Sequence, residues 1–317
     1  MSTEESAKTR GGSKRAIVAA FLANIGIAVL KFGAFLFTGS SSMLSESIHS
    51  LADTGNQGLL LLGRRRSDRP ADERHPFGYG PVRYFYAFIV AFVLFTLGGI
   101  FSIFEGIDKL RHPHSVEAVG WAIAVLLGAI VLEAYSLRTA KEEANEVRPK
   151  NESWWRFIRR TKSPDLPVVL LEDTAALLGL GIAFVGVMLA FVTDNARWDG
   201  LGSLAIGVVL VLVAILLVIE MGSLLVGESA RPEDVARIAA VVESFPLVRR
   251  CIHLRTEHLG PDEIVVALKA EFDHDLSIEQ LADAIDGLEA AIRAVEPRAT
   301  WIFVEPDIYR EPAENTD

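Results

Sequence analysis

Six long apolar segments constrain this chain more than any other feature of its sequence. The segments lie at about residues 15–37, 41–63, 83–107, 116–138, 167–192 and 199–226. Each has about 20 residues or more, which is the length that a helix needs to cross a bilayer. Because a bilayer offers no water to backbone polar groups, such segments cross it as helices. The sequence therefore predicts an α-helical membrane protein with six transmembrane helices.

Lysine and arginine are concentrated in alternate connections between these segments. They are frequent in the N-terminal tail, in the loop that contains Arg64 and Arg69, and in the loop that contains Arg159 and Arg160. Basic connections stay on the cytoplasmic side of a membrane, so both termini are expected there. The polar first residues carry no apparent targeting segment. We therefore expect a multi-pass protein of the plasma membrane with both termini cytoplasmic.

The chain changes character after residue 228, where short amphipathic elements replace the apolar segments. Residues 264–272 alternate with a period of two, which is typical of a strand. Ser277 and Gln280 match a capping box at the start of a following helix. The order of elements is αββαβ, which predicts a small cytoplasmic α/β domain with a ferredoxin-like fold. The predicted division is a disordered tail at 1–13, a membrane domain at 14–228, this domain at 229–309 and a C-terminal tail at 310–317.

Charge and cysteine content exclude several kinds of partner. The formal net charge is −10 at pH 7, which disfavours binding to nucleic acid. Cys251 is the only cysteine of the chain. The chain therefore has neither an internal disulfide nor a thiolate metal cluster of its own.

The second apolar segment carries His49 and Asp53, which are four residues apart. On a helix this spacing places both side chains on one face, one turn apart. An aspartate in the middle of a bilayer costs about 2.5–3.5 kcal/mol on insertion scales, so such a residue pairs, binds an ion or relays protons. Imidazole and carboxylate are good ligands for zinc. The pair is therefore a candidate metal site or, alternatively, a structural polar contact between helices.

The fifth apolar segment carries two adjacent acids, Glu172 and Asp173. Two carboxylates in an apolar run indicate a cation or a proton path. Neighbouring residues of a helix point about 100° apart, so only one of the two easily faces His49 and Asp53. The alternative for Glu172 is that it extends toward the membrane interface. Asn56 and Gln57 continue the face of His49 and Asp53 by another turn and are candidate supporting donors.

These features together resemble the cation diffusion facilitator family, a family of zinc transporters. The shared features are six spans, a His-x-x-x-Asp motif in the second span, an acid in the fifth and a C-terminal αββαβ domain. The resemblance covers about residues 14–308. The run from Val169 to Ala176 and the long basic loop before it are similar to the branch that contains the mitochondrial zinc transporter of animals. Further matching residues are Asn24, Lys31, Thr38-Gly39-Ser40 and His75-Pro76-Phe77-Gly78-Tyr79-Gly80.

The resemblance implies a homodimeric secondary active transporter and not an enzyme. Such a protein exports a divalent cation, usually zinc, from the cytoplasm in exchange for protons by alternating access, and it has no resident cofactor. The implied metal ligands of the transport site are His49, Asp53 and Asp173. A fourth family position falls at Val169, whose side chain cannot bind metal. Water, Glu172 or Asn56 is expected to complete the site.

Two further metal sites of the family are altered in this sequence. In the loop after the second span, Asp72 and His75 match a second, weaker metal site, but Tyr79 stands at a histidine position. The alternative is that this segment shapes the turn into the third span. In the C-terminal domain, apolar residues stand at the positions of the family's zinc ligands, so this domain is expected to dimerise without zinc. Those residues are Ile252, Leu268 and Val304.

Three other functions stay open at this level. The carboxylate-rich ligand set also suits manganese, iron or cobalt. A transport-inactive scaffold that senses metal is favoured by Val169 and by the missing histidines of the C-terminal domain. An intramembrane metalloenzyme needs a nucleophile or a general base beside the metal ligands, and the sequence offers neither.

Overall fold

The computed structural model describes residues 3–38, 41–113 and 119–311. Within these ranges it describes the side chains at 17–33, 36, 50–51, 53–113 and 120–311. The chain divides into two compact units. One is the helical unit Thr9–Ser223, which contains the predicted spans. The other begins at Leu224 and contains the predicted αββαβ elements.

Long helices build the first unit, because its sequence is made of apolar segments with short polar connections. The helices are α1 Thr3–Thr38, α2 Ser41–Ser67, α3 Pro81–Val93, α4 Phe101–Arg111, α5 Val119–Val147, α6 Trp154–Arg160, α7 Asp165–Thr193 and α8 Arg197–Val226. A π-helical segment, Leu94–Ile100, joins α3 to α4. The three elements form one continuous helix over Pro81–Arg111.

Four of the described helices are long and apolar enough to cross a membrane. They are Pro81–Arg111, Gly120–Val147, Asp165–Thr193 and Arg197–Val226, and they correspond to the third to sixth predicted spans. In α1 the apolar stretch is shorter, and α2 contains many polar residues and ends in three arginines. The prediction of a helical membrane protein is confirmed, whereas membrane crossing by α1 and α2 stays a prediction.

The start of α1 differs from the sequence-based expectation. The helix begins at Thr3, inside the segment 1–13 that the sequence predicts to be a disordered tail. This segment contains the helix formers Glu4, Glu5, Ala7 and Lys8, but it also contains the poor helix formers Gly11 and Gly12.

Glycines bring α4 and α8 into backbone contact. A Cβ atom on Gly106 of α4 would lie 2.5 Å from the backbone nitrogen of Leu204 in α8. A Cβ atom on Gly207 of α8 would lie 2.6 Å from the backbone nitrogen of Ile103 in α4. Small residues allow this close approach of helices in lipid, where packing replaces the hydrophobic effect as the force of association.

We expect Gly106→Ala to destabilise the helical unit by about 1–3 kcal/mol, because its methyl group meets backbone atoms that cannot rotate away. The matched control is Gly181→Ala in α7, where no atom lies within 4 Å of the added carbon. Alanine is the better helix former, so the control is expected to keep or raise stability. Thermal unfolding of the detergent-solubilised full chain measures both, and equal midpoints would contradict the close α4–α8 contact.

The second unit contains two helices and a three-stranded sheet in the predicted αββαβ order. Its elements are α9 Pro232–Ser244, β1 Val248–Gly260, β2 Glu263–Phe272, α10 Ile278–Val295 and β3 Ala299–Pro306. The strand order is β1-β2-β3, with β1 and β2 antiparallel and β2 and β3 parallel. A parallel connection needs a crossover element, and α10 provides it. Apolar residues of both helices and of the sheet form one core between the two layers.

The start of α10 and the order of the elements bear on two predictions for this unit. The capping box is confirmed, since Gln280 N donates to Ser277 Oγ at 3.2 Å and Ser277 N donates to Gln280 Oε1 at 2.9 Å. The ferredoxin-like fold stays a prediction. That fold has the order βαββαβ, and in the described part of this unit the order begins with α9 and the sheet has three strands.

A charge network connects α9 with the turn before β3. The Arg298 guanidinium donates to Asp234 Oδ2 at 2.7 Å and to both carboxylate oxygens of Glu296 at 2.7 and 2.9 Å. Burial acts to raise the pKa of Glu296, but hydrogen bonds and charge from Arg298, with the charge of Arg237, outweigh it and hold the pKa below its usual value. This carboxylate therefore stabilises the fold at higher pH, and the contribution is lost as the pH falls through the lowered pKa.

We expect Arg298→Met to destabilise the second unit by about 3–5 kcal/mol, because it leaves the buried carboxylates of Asp234 and Glu296 without their main cation. Cys251 of β1 is the single cysteine and reports on this unit, since burial raises the pKa of its thiol and slows alkylation of the folded state. Maleimide labelling of the full chain at increasing urea is the measurement. The control is Arg293→Met, which removes only the half-exposed pair with Glu289 and is expected to cost less than about 1 kcal/mol. Equal labelling midpoints for the two variants would contradict the role of the network.

Candidate functional site

A cavity of about 170 Å³ lies inside the helical unit. Residues of α1, α2, α4, α5, α7 and α8, together with the π-helical segment, line it. Most of its charged residues are acids, and they come from four different helices. The charged lining residues are Lys31, Asp53, Glu105, Glu133, Glu172 and Asp173. The excess of acids over basic residues in its lining makes this cavity a candidate site for cations.

Asp53 brings the motif of the second span to this cavity. It lies in the middle of α2, is half-buried and lines the cavity. His49 belongs to the helical range of α2, one turn before Asp53. Its side chain is outside the part of the chain that the structure describes, so its place among the ligands stays a prediction.

Asp173 is the acid of α7 that the neighbouring helix α5 holds in place. It lines the cavity and is only 2% exposed. Ser136 Oγ of α5 donates a hydrogen bond of 2.6 Å to Asp173 Oδ2. One carboxylate oxygen is thereby oriented by the protein. The structure thus brings Asp53 and Asp173 to the same cavity.

Glu172 also lines the cavity, but its carboxylate faces polar groups of α2. Gln57 Nε2 donates to Glu172 Oε2 at 2.7 Å, and Asn56 Nδ2 donates to Glu172 Oε1 at 3.4 Å. Glu172 is 6% exposed, so it does not extend to the membrane interface. Asn56 is buried and does not line the cavity. Its contact makes Asn56 a partner of Glu172.

The start of α7 is anchored by a buried ion pair. Arg83 Nε of α3 donates to Asp165 Oδ1 at 3.1 Å, and Arg83 Nη2 contacts the other oxygen of the same carboxylate. Such a two-point contact fixes direction as well as distance. Because Asp165 is two turns before Glu172 on α7, the pair positions the acids that follow.

The fourth family position does not reach the cavity. Val169 is fully buried and is absent from the cavity lining. Among the side chains that the structure describes, no three histidine, cysteine, aspartate or glutamate residues are grouped as a metal site. A tetrahedral site made of protein ligands alone is therefore not formed by the described side chains, and His49 lies outside them.

The loop after α2 is organised by Asp72. Its Oδ1 accepts hydrogen bonds from the backbone nitrogens of Arg74 at 3.0 Å and His75 at 2.7 Å. Its Oδ2 accepts a hydrogen bond of 2.7 Å from the Tyr79 hydroxyl, which holds the pKa of Asp72 below its usual value. Both oxygens thus serve the loop itself. This geometry favours the turn-shaping role over the weak metal site at Asp72 and His75.

We expect Asp72→Ala to open this loop and to speed trypsin cleavage after Arg74 several-fold, because three hydrogen bonds of the loop are lost. Limited proteolysis of the full chain in detergent, followed by mass spectrometry, measures the rates. Asp68→Ala, a substitution at an exposed acid farther from Arg74, is the control and is expected to be cleaved at the wild-type rate. If added Zn²⁺ protected the wild-type loop and failed to protect the Asp72 variant, the metal-site alternative would be correct instead.

The histidines of the second unit do not form a cluster. His258 Nδ1 contacts the carbonyl oxygen of Gly260 at 3.1 Å, and His274 Nε2 contacts Glu271 Oε1 at 3.2 Å. Leu268, at one of the altered family positions, belongs to the apolar core. These contacts therefore do not bring the described histidines of the second unit together as metal ligands.

Sequence reasoning missed two residues at the cavity. Ser136 holds Asp173, and Glu133 lines the cavity. Gln57, which holds Glu172, is one of the expected supporting donors. One signal was present in the sequence. Residues 129, 133, 136 and 140 recur with helical spacing, and all four are buried on one face of α5.

Comparison with known proteins decides the family. Residues 17–226 match the cation efflux transmembrane domain. The chain belongs to the cation efflux family. Residues 230–307 also match the cation efflux protein, cytoplasmic domain. The predicted cation diffusion facilitator family is thereby confirmed, and its members are transporters, not enzymes.

Individual relatives agree with this assignment. The human protein named proton-coupled zinc antiporter SLC30A9, mitochondrial, is 39% identical over 246 residues, which cover 77% of this chain and 43% of the relative. Metal tolerance protein C4 of Arabidopsis thaliana is 30% identical over 262 residues, covering 82% and 57%. Cation-efflux pump FieF of Klebsiella pneumoniae is 28% identical over 279 residues, covering 88% and 87%. The chain spans less than half the length of the mitochondrial relatives.

These relatives also correct one prediction. The proteins of human, orangutan, mouse and frog that match at 37–39% identity are all named mitochondrial. The expected plasma membrane location is therefore wrong, while a multi-pass membrane protein is supported. The expectation depended on the polar residues at the start of the sequence, and these carry no information about which membrane the helices occupy.

Proposed function

We propose that this chain exchanges a divalent metal cation, zinc, for protons across a membrane by alternating access. The observation that carries the proposal is the cavity in which Asp53 of α2 and Asp173 of α7 meet. The names of the animal relatives support zinc, proton coupling and a mitochondrial membrane. The match of residues 230–307 to the family's second domain supports a homodimer.

The proposed transport site contains His49, Asp53 and Asp173. Metal binds when all three are deprotonated, so protons and metal compete for the same atoms. Histidine changes its charge closest to neutral pH, which makes His49 the natural coupling group. With Val169 at the fourth position, water occupies the remaining place on the metal. An incomplete protein shell lowers affinity and favours release.

Glu172 has a different proposed role from Asp173. Its two carboxylate oxygens accept hydrogen bonds from Gln57 and Asn56, which connect α7 to α2. A carboxylate held in this way links the two helices that carry the ligands. Glu172 is thus a positioning residue. Its hydrogen bonds to Gln57 and Asn56 couple the position of α7 to that of α2 when the cavity changes access.

An exchanger for manganese, iron or cobalt is the second candidate. Five of the charged residues that line the cavity are carboxylates, and hard oxygen ligands suit manganese better than zinc. The relative from Klebsiella pneumoniae has a name that specifies cation efflux without zinc. Competition between metals separates this candidate from a zinc exchanger.

We expect Zn²⁺ to drive proton movement in sealed proteoliposomes that contain the full chain and a pH-sensitive dye. Asp173→Asn and Asp53→Asn are expected to lower this flux by at least about 100-fold, because each removes an ionised metal ligand. Glu142→Gln is the control, since Glu142 lies exposed on α5, pairs with Arg138 and does not line the cavity. Its flux is expected to equal that of the wild type.

The outcomes separate the candidate functions. Flux with Mn²⁺, Fe²⁺ or Co²⁺ and none with Zn²⁺ would contradict zinc as the substrate and support the second candidate. Flux that survives in Asp173→Asn and is lost in Glu172→Gln would exchange the proposed roles of the two acids. No flux with any of these metals would identify a transport-inactive scaffold.

A further inference from the structure

A lysine lies among the carboxylates of the cavity. Lys31 of α1 and Glu133 of α5 both line it, and both are buried. Lys31 is the one basic residue of the lining in the part of the chain that the structure describes, beside five acids. Neither Lys31 nor Glu133 belongs to the metal ligands proposed above.

Helix geometry places Glu133 beside Asp173. Glu133 lies one turn before Ser136 on the same buried face of α5, and Ser136 Oγ donates to Asp173 Oδ2 at 2.6 Å. The charges of Asp173, Asp53 and Lys31 act on the Glu133 carboxylate. Glu133 therefore lies within reach of the charges of the lysine and of both proposed ligands.

Close packing of α1 against α5 holds Lys31 at this position. A Cβ atom on Gly26 of α1 would lie 3.1 Å from Leu132 of α5. A Cβ atom on Gly128 of α5 would lie 3.4 Å from Leu30 of α1. Asn24 and Lys31 are two turns apart on one face of α1, and both line the cavity. The position of Lys31 next to the acids follows from this contact between the helices.

The charge balance of the cavity depends on this lysine. Glu105 of α4 pairs with Lys109 of the same helix at 3.2 Å. The other four acids share the cavity with Lys31, the one basic lining residue among those that the structure describes. These acids are Asp53, Glu133, Glu172 and Asp173. Ionised groups without a nearby opposite charge are costly inside a membrane protein. A cation that stays in the cavity lowers this cost before metal arrives.

We propose that Lys31 is a built-in counter-ion, which neutralises the carboxylates of the empty cavity and pairs with Glu133 when metal is bound. This proposal rests on the proposed function of the same cavity. A tethered cation competes with the metal for the same negative charge. Lys31 therefore weakens metal binding and favours release, which a transporter needs as much as it needs binding.

The test is Zn²⁺ binding to the purified full chain in lipid nanodiscs, measured by calorimetry. Lys31→Met is expected to bind Zn²⁺ about tenfold more tightly or better, because the competing charge is gone. Lys31→Gln, which keeps a polar side chain, is expected to do the same. Lys31→Arg keeps the charge and is expected to match the wild type. Glu133→Gln is expected to bind about tenfold more weakly.

Glu143→Gln is the matched control for Glu133→Gln. Glu143 is also a buried acid of α5, but it does not line the cavity, and unchanged affinity is expected.

A lysine with only a structural role would give weaker or unchanged binding in Lys31→Met and Lys31→Gln. This result would overturn the counter-ion role while zinc binding by the wild type still stands. Tight binding in Lys31→Met alone would support the counter-ion role and contradict zinc transport by the wild type. Absence of binding in the wild type and in both charge-removing variants would overturn both proposals.

Discussion

Burial of carboxylates inside a helical bundle is the constraint on which the helical unit depends. A carboxylate in an apolar setting is costly unless a donor or a cation accompanies it. Here each acid of α7 has such a partner on another helix, Ser136 for Asp173 and Gln57 for Glu172. These contacts determine which faces of α2 and α5 turn toward α7. Apolar packing alone would not determine these faces, because lipid is as apolar as the side chains that pack.

The acids of α7 make different contacts at different positions along the helix. Asp165 is paired with Arg83 and anchors the first turn, whereas Asp173 lines the cavity two turns later. Glu172 lies between these roles, since it lines the cavity and is bonded to α2. A rigid beginning and a polar middle fit a helix that has to keep its place while its contacts change.

Sequence reasoning was most successful where one-dimensional patterns control structure. Apolar length predicted the third to sixth helices, and the period of two predicted β2, because both patterns reflect local geometry. It named Gln57 and Asn56 as supporting donors but did not predict that they bond to Glu172, since this contact forms only when α2 and α7 pack. Glu133 was not predicted to line the cavity, because hydropathy locates a residue along a span and does not show which face of the helix it occupies. The network of Arg298 also forms only after distant elements meet.

The π-helical segment Leu94–Ile100 gives the long helix Pro81–Arg111 an adjustable length. A π-helical turn accommodates an extra residue in an otherwise α-helical ladder. In a regular α-helix, adding or removing one residue rotates everything beyond it by about 100°. At this segment the extra residue is already absorbed, so removing one residue restores a plain α-helix and leaves the flanking faces aligned. Arg83 could then keep its contact with α7, and Gly106 its contact with α8, through a change of length that would separate them anywhere else in the helix.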